Sequence, residues 1–122
     1  FGHDCVMDPW YPLGSGDMLE VAAMGLHVAQ MTGQAAMRAC FDAVTAAPAA
    51  ILGLEGYGLA PGRRADLVLL QARDPVEAIR LRAARLAVVR AGKVVATSPP
   101  ARATLDLPGR PATVDWTLPG AP

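Results

Sequence analysis

The chain has 122 residues, within the range of one domain, and 52% of them are apolar, enough for a core. Eleven basic residues balance eleven acidic ones. A formal net charge of zero calls for no nucleic acid, no anionic membrane and no strongly charged partner.

Residues 1–16 read as a loop. Pro9, Pro12, Gly14 and Gly16 stand close together there, which forbids a continuous helix and disfavours a strand. Trp10 and Tyr11 lie among them, and large aromatics on a loop raise a binding role. Asp17 then opens a helix, with Glu20 three residues on as in a capping box. Met18, Val21, Ala22, Leu26 and Ala29 form its expected apolar stripe, and Gly33 is the expected stop. A second helix is expected over 34–46, with Met37, Cys40, Phe41 and Val44 on one face. Pro48 suits the first turn of a third, short helix that ends at Leu52-Gly53.

The character changes at Gly53. Glycine recurs at 56, 58 and 62, and Pro61-Gly62 signals a turn. Residues 65–70 read as a buried strand. Asp74 as N-cap, Pro75 at the first helical position and Glu77 open a short helix to about Arg82. Strands are expected over 86–89 and 94–97 around a tight turn at Gly92, and half-buried strands over 104–107 and 113–116. The Pro- and Gly-rich end is expected to be loose.

No run of eighteen apolar residues occurs, so no membrane span is expected. Phe1-Gly2-His3-Asp4 has no initiator Met and no basic segment leading into an apolar one. It reads as a cut just upstream of a site rather than a natural start or a signal peptide. Cys5 and Cys40 lie far apart and make no metal spacing, which suits a reducing compartment and a cytoplasmic location.

The chemistry concentrates near the start. Asp4 could ligate a metal, act as a base, or cap a turn. A metal site needs three or more ligands, and one loop cannot supply them. His27 lies among apolar helix residues and reads as a satisfied core or interface histidine. Arg73, Arg80, Arg82 and Arg85 read as a solvated face.

The run Phe1-Gly2-His3-Asp4-Cys5-Val6-Met7-Asp8-Pro9-Trp10-Tyr11-Pro12-Leu13-Gly14 resembles the segment after the eighth barrel strand of cytosine-deaminase-like enzymes of the amidohydrolase superfamily. Met24-Gly25-Leu26-His27-Val28 matches as well. Ala65-Asp66-Leu67-Val68 and Arg90-Ala91-Gly92-Lys93-Val94-Val95 resemble the superfamily's C-terminal passage and closing hairpin. The resemblance runs to about Thr97.

It implies an α/β chain: the C-terminal portion of a (β/α)8 TIM-like barrel, last strand end and helices, over residues 1–53. Residues 54–122 are then a β-rich unit, part of a small β-sandwich. It implies an active site at the barrel face formed by the C-terminal ends of the strands. There Asp4 contacts a divalent metal, zinc or iron, and handles the proton of the attacking water. Cys5 stands where the family carries a second aspartate beside the substrate ring, and Trp10 matches a tryptophan packed near that ring. His3 shapes the strand end. The implied substrate is a small aminated heterocycle: cytosine, or a related ring such as isocytosine or an s-triazine amine. The full-length parent is implied to be a homo-oligomer.

The family's metal is held mainly by histidines from earlier strands, including a His-x-His pair that this chain lacks. The chain therefore reads as a C-terminal fragment that holds one corner of the site and is inactive alone. Two other readings stay open here. One is a different amidohydrolase acting on cyclic amides or s-triazine amines, and the other is a non-catalytic β-rich interaction module.

Overall fold

The computed structural model describes residues 1–114. The expected loose end, and the expected strand residues 115 and 116, lie outside the described residues.

The chain is α/β. Helix α1 spans Met18–Val28, α2 Gln34–Asp42, α3 Ala46–Ile51 and α4 Pro75–Leu81. Strands β1 (Leu67–Leu70), β2 (Arg85–Arg90) and β3 (Lys93–Thr97) form an antiparallel sheet in that spatial order. A short pair, β4 (Ala103–Thr104) and β5 (Thr113–Val114), stands apart as a second sheet. No helix among the described residues is long and apolar enough to cross a membrane.

Asp17 caps α1 by accepting from the N–H groups of Leu19 and Glu20 at 2.7 and 3.4 Å. This removes two of the helix's orphan donors. The helix ends earlier than Gly33. Gln30 takes a positive φ of 55°, and the N–H groups of Met31 and Gln30 reach back to the Leu26 and His27 carbonyls. That is a Schellman-type closure without glycine, and it turns Met31 onto the core. Gly33 serves instead as the N-cap of α2.

The buried face of α1 is Leu19, Ala22, Ala23 and Leu26, rotated from the expected stripe. The helix is apolar almost all round, so periodicity alone could not choose between its faces. The buried face packs with Cys40 of α2 and with Ala78, Ile79 and Ala83 in and just after α4. This core joins residues from both sides of the expected division at 53/54. Small alanines let the helix backbones approach closely.

Helix α4 opens as expected, with the Asp74 carboxylate accepting from the Glu77 N–H at 2.9 Å. Glu77 is buried, accepts from the Arg73 N–H at 2.9 Å, and pairs with the Arg73 and Arg80 side chains at 3.5 and 3.6 Å. Arg85 pairs with Asp17, a link between the start of α1 and β2. Three of the four arginines expected on a solvated face are thus bound to carboxylates. Sequence spacing does not reveal a partner 68 positions away.

Burial works to raise the Asp17 pKa, but the hydrogen bond from Arg85 and those from the Leu19 and Glu20 N–H groups leave it below its ordinary value. A carboxyl depressed in the folded state stabilises the fold above its unfolded pKa. That contribution is lost as pH falls through the folded pKa. Asp17→Ala, which removes both cap and ion pair, is expected to destabilise the chain by about 1–2 kcal/mol at neutral pH. The difference should shrink below the ordinary aspartate range, as read by urea unfolding at pH 7 and pH 3. A gap that is constant across pH would exclude an ionic contribution.

The three-stranded sheet departs from expectation in its exposure. Strand β1 was expected to be buried, yet Val68 and Leu69 are 54% and 60% exposed. Val94 and Val95 of β3 are exposed as well. A β-rich hydrophobic run is buried only when layers cover both faces, and the described residues do not provide them. The β2–β3 turn is held from a distance. Ala91 (φ 49°) and Gly92 (φ 76°) both adopt left-handed conformations. The Asp66 carboxylate accepts from the Ala91 N–H at 2.6 Å and from Arg90 Nη1 at 3.0 Å. A residue just ahead of β1 thereby fixes the hairpin that follows two strands later.

Candidate functional site

The loop over residues 1–16 folds back on itself. A Cβ on Gly14 would lie 2.2 Å from the Cys5 carbonyl oxygen and 2.6 Å from both the His3 ring and the Val6 Cα, so only glycine fits there. The His3 Nε2 accepts from the Gly16 N–H at 3.2 Å, tying the two ends of the loop. Asp8 Oδ1 accepts from the N–H groups of Trp10 and Tyr11 at 2.9 and 3.0 Å. Between them Pro9 has no N–H to offer and fixes its own φ.

This folding brings Asp4, Cys5 and Trp10 to the wall of one open hollow of about 560 Å³. The unburied face of α1 also lines it, with Val21, Met24 and Val28 spaced one helical turn apart. The helix therefore uses one apolar face for the core and another for the hollow. Asp4 is exposed and Cys5 half-buried. Trp10 is 91% exposed, a flat apolar surface presented to the opening.

The electrostatics centre on Cys5. A hydrogen bond to Asp8 pushes its thiol above the ordinary value, with burial and the nearby Asp4 charge adding to the shift. The same thiol hydrogen bond, helped by the Tyr11 and Trp10 N–H groups, lowers Asp8. Cys5 is thus held as a neutral thiol beside Asp8 and Asp4.

His27 is accounted for by its own helix, its Nδ1–H donating to the Ala23 carbonyl at 2.6 Å. No group of three His, Cys, Asp or Glu side chains that could hold a metal occurs among the described residues. Asp4 offers a suitable hard oxygen donor but is one ligand where a tight site needs three or more. The described residues do not make a metal centre by themselves.

Sequence reasoning assigned Asp8 no role of its own and marked Gly14 only as a loop residue. The Asp-Pro step is a turn signal that could have flagged Asp8. The need for glycine at 14 arises only when the chain returns to residue 5.

Residues 1–96 match the Amidohydrolase family. The chain is 32% identical over 93 residues to the N-isopropylammelide isopropyl amidohydrolase of Pseudomonas sp. (strain ADP), covering 75% of this chain and 23% of that enzyme. Among solved structures it is similar to 5-methylcytosine deaminase from Klebsiella pneumoniae liganded with 5-fluorocytosine. That match has a TM-score of 0.78 and 39% identity, over 88% of this chain and 26% of that one. It is also similar to N-isopropylammelide isopropylaminohydrolase from Burkholderia multivorans ATCC 17616. There the TM-score is 0.75 and the identity 41%, over 79% of this chain and 25% of that one. The chain spans about a quarter of the length of these relatives.

Proposed function

Because this chain belongs to the amidohydrolase family, we propose that it forms one corner of an active site that hydrolytically deaminates an aminated N-heterocycle. The observation that carries the reading is the convergence of Asp4, Cys5 and Trp10 on one hollow. Residues 1–53 are the end of a (β/α)8 barrel in this reading. Residues 54–122 belong to a small β-sandwich, with α4 tying the two parts together.

Asp4 takes a proton from the attacking water at its carboxylate and delivers it to the departing amine. One group thereby serves as base and then as acid. Trp10 gives the ring a flat apolar wall, and the Cys5 thiol lies at the ring's polar edge. A divalent metal, zinc or iron, belongs to this reading, with Asp4 as one ligand and the other donors on other barrel strands. The substrate is cytosine or a related ring. The likeness to two isopropylammelide hydrolases favours s-triazine amines as a second choice. We place the full-length enzyme in the cytoplasm as a homo-oligomer.

Ammonia release tests the proposal. This chain alone, supplied with zinc or iron, is expected to release none from cytosine or isocytosine above a metal-only blank. The full-length enzyme carrying these residues is expected to release it from at least one aminated ring. Activity of the isolated chain would refute the incomplete site. A full-length enzyme inactive on every aminated pyrimidine and s-triazine would refute the function.

A further inference from the structure

Asp8 does not line the hollow, yet two residues that do are hydrogen-bonded to it through their backbones. Its Oδ1 accepts from the backbone N–H groups of Trp10 and Tyr11 at 2.9 and 3.0 Å. The Cys5 thiol lies beside the same carboxylate, which raises the thiol's pKa and has its own lowered. Trp10 is almost fully exposed, so its backbone, more than packing of the indole, decides where its ring stands.

We propose that Asp8 is a positioning residue: without lining the hollow itself, its carboxylate fixes the Trp10–Tyr11 backbone, and so sets the surface against which the substrate ring lies. The inference rests on the functional reading above and adds to it a residue that touches no substrate. Its chemistry makes a discriminating demand. The two amides need an acceptor oxygen at the length of an aspartate side chain, and they do not need a charge. Asparagine meets that demand, whereas glutamate keeps the charge and moves the oxygen by one carbon.

The test compares Asp8→Ala, Asp8→Asn and Asp8→Glu with the unsubstituted protein. Amide exchange at Trp10 and Tyr11, followed by NMR in this chain, should quicken roughly tenfold in Asp8→Ala and Asp8→Glu, as one lost hydrogen bond allows. It should stay within about twofold in Asp8→Asn, with α1 and the sheet unchanged in all three. In the full-length enzyme the KM for the ring should rise about tenfold in the alanine and glutamate variants, with kcat within about threefold, and asparagine should restore it.

Unchanged exchange in both the alanine and glutamate variants would overturn the inference. So would faster exchange with an unchanged KM, or a loss confined to kcat. Should the alanine variant fail to fold, the contrast between asparagine and glutamate still decides. An unsubstituted enzyme that turns over no ring would defeat the proposed function instead, a failure told apart by the exchange rates.

Discussion

Asp4→Asn is expected to lower kcat for the preferred ring by about 10²–10⁴-fold in the full-length enzyme, the usual contribution of a positioned acid–base group. Asparagine keeps the size and one acceptor oxygen but cannot take a proton from water or return it to an amine. Asp4 is exposed and stands outside the α1–α2–α4 core, so the fold has little stake in it. Stability should change by no more than about 0.5 kcal/mol, as for most surface substitutions. Thermal unfolding and steady-state kinetics on the same preparation separate the two effects. Retention of activity within a factor of ten would remove Asp4 from the mechanism. A large drop in stability would make the activity loss uninformative, and Asp4→Glu would then be the variant to measure.

The second large effect concerns substrate choice. Cys5→Asp is expected to raise kcat/KM for cytosine relative to isocytosine by about ten- to a hundredfold. A charge-assisted hydrogen bond worth about 1.5–3 kcal/mol would replace a weak thiol contact. The local charges make this a demanding test. The Cys5 thiol lies beside Asp8 and Asp4, which raise its pKa. A carboxylate at position 5 places like charges together, which lowers the absolute rate for both rings. The ratio is therefore the measurement, since the repulsion is common to both substrates and the bond to the ring is not. A ratio that stays level or falls would show that position 5 does not set the choice of ring.

Local chemistry made much of the chain readable. Asp17 and Asp74 were recognisable as N-caps, and Pro75 as a first-turn residue, because capping depends on groups within three or four positions. The hairpin at Gly92 was readable because two consecutive left-handed residues favour glycine. The loop character of residues 1–16 followed from proline and glycine content. Asp4, Cys5 and Trp10 were singled out from a run of motif residues, and the family match covers that run. Their catalytic and binding roles rest with the kinetic tests.

What only the tertiary structure decided depends on distance. The end of α1 at Val28, closed by a left-handed Gln30 rather than by Gly33, goes with Met31 turning onto the core, which outweighs the usual preference for glycine. Which face of an apolar helix is buried was settled by Ala78, Ile79 and Ala83, in and just after α4, more than fifty positions on. The pairing of Arg85 with Asp17, and of Asp66 with the Ala91 amide, joins residues that no short window contains. The same holds for the requirement for glycine at 14 and the grip of Asp8 on the Trp10 backbone. Sequence determined which residues can cap, turn or carry a proton, because those properties belong to single side chains and their neighbours. The fold decided which of them meet, because a contact exists only after the chain has paid the entropy of bringing distant segments together.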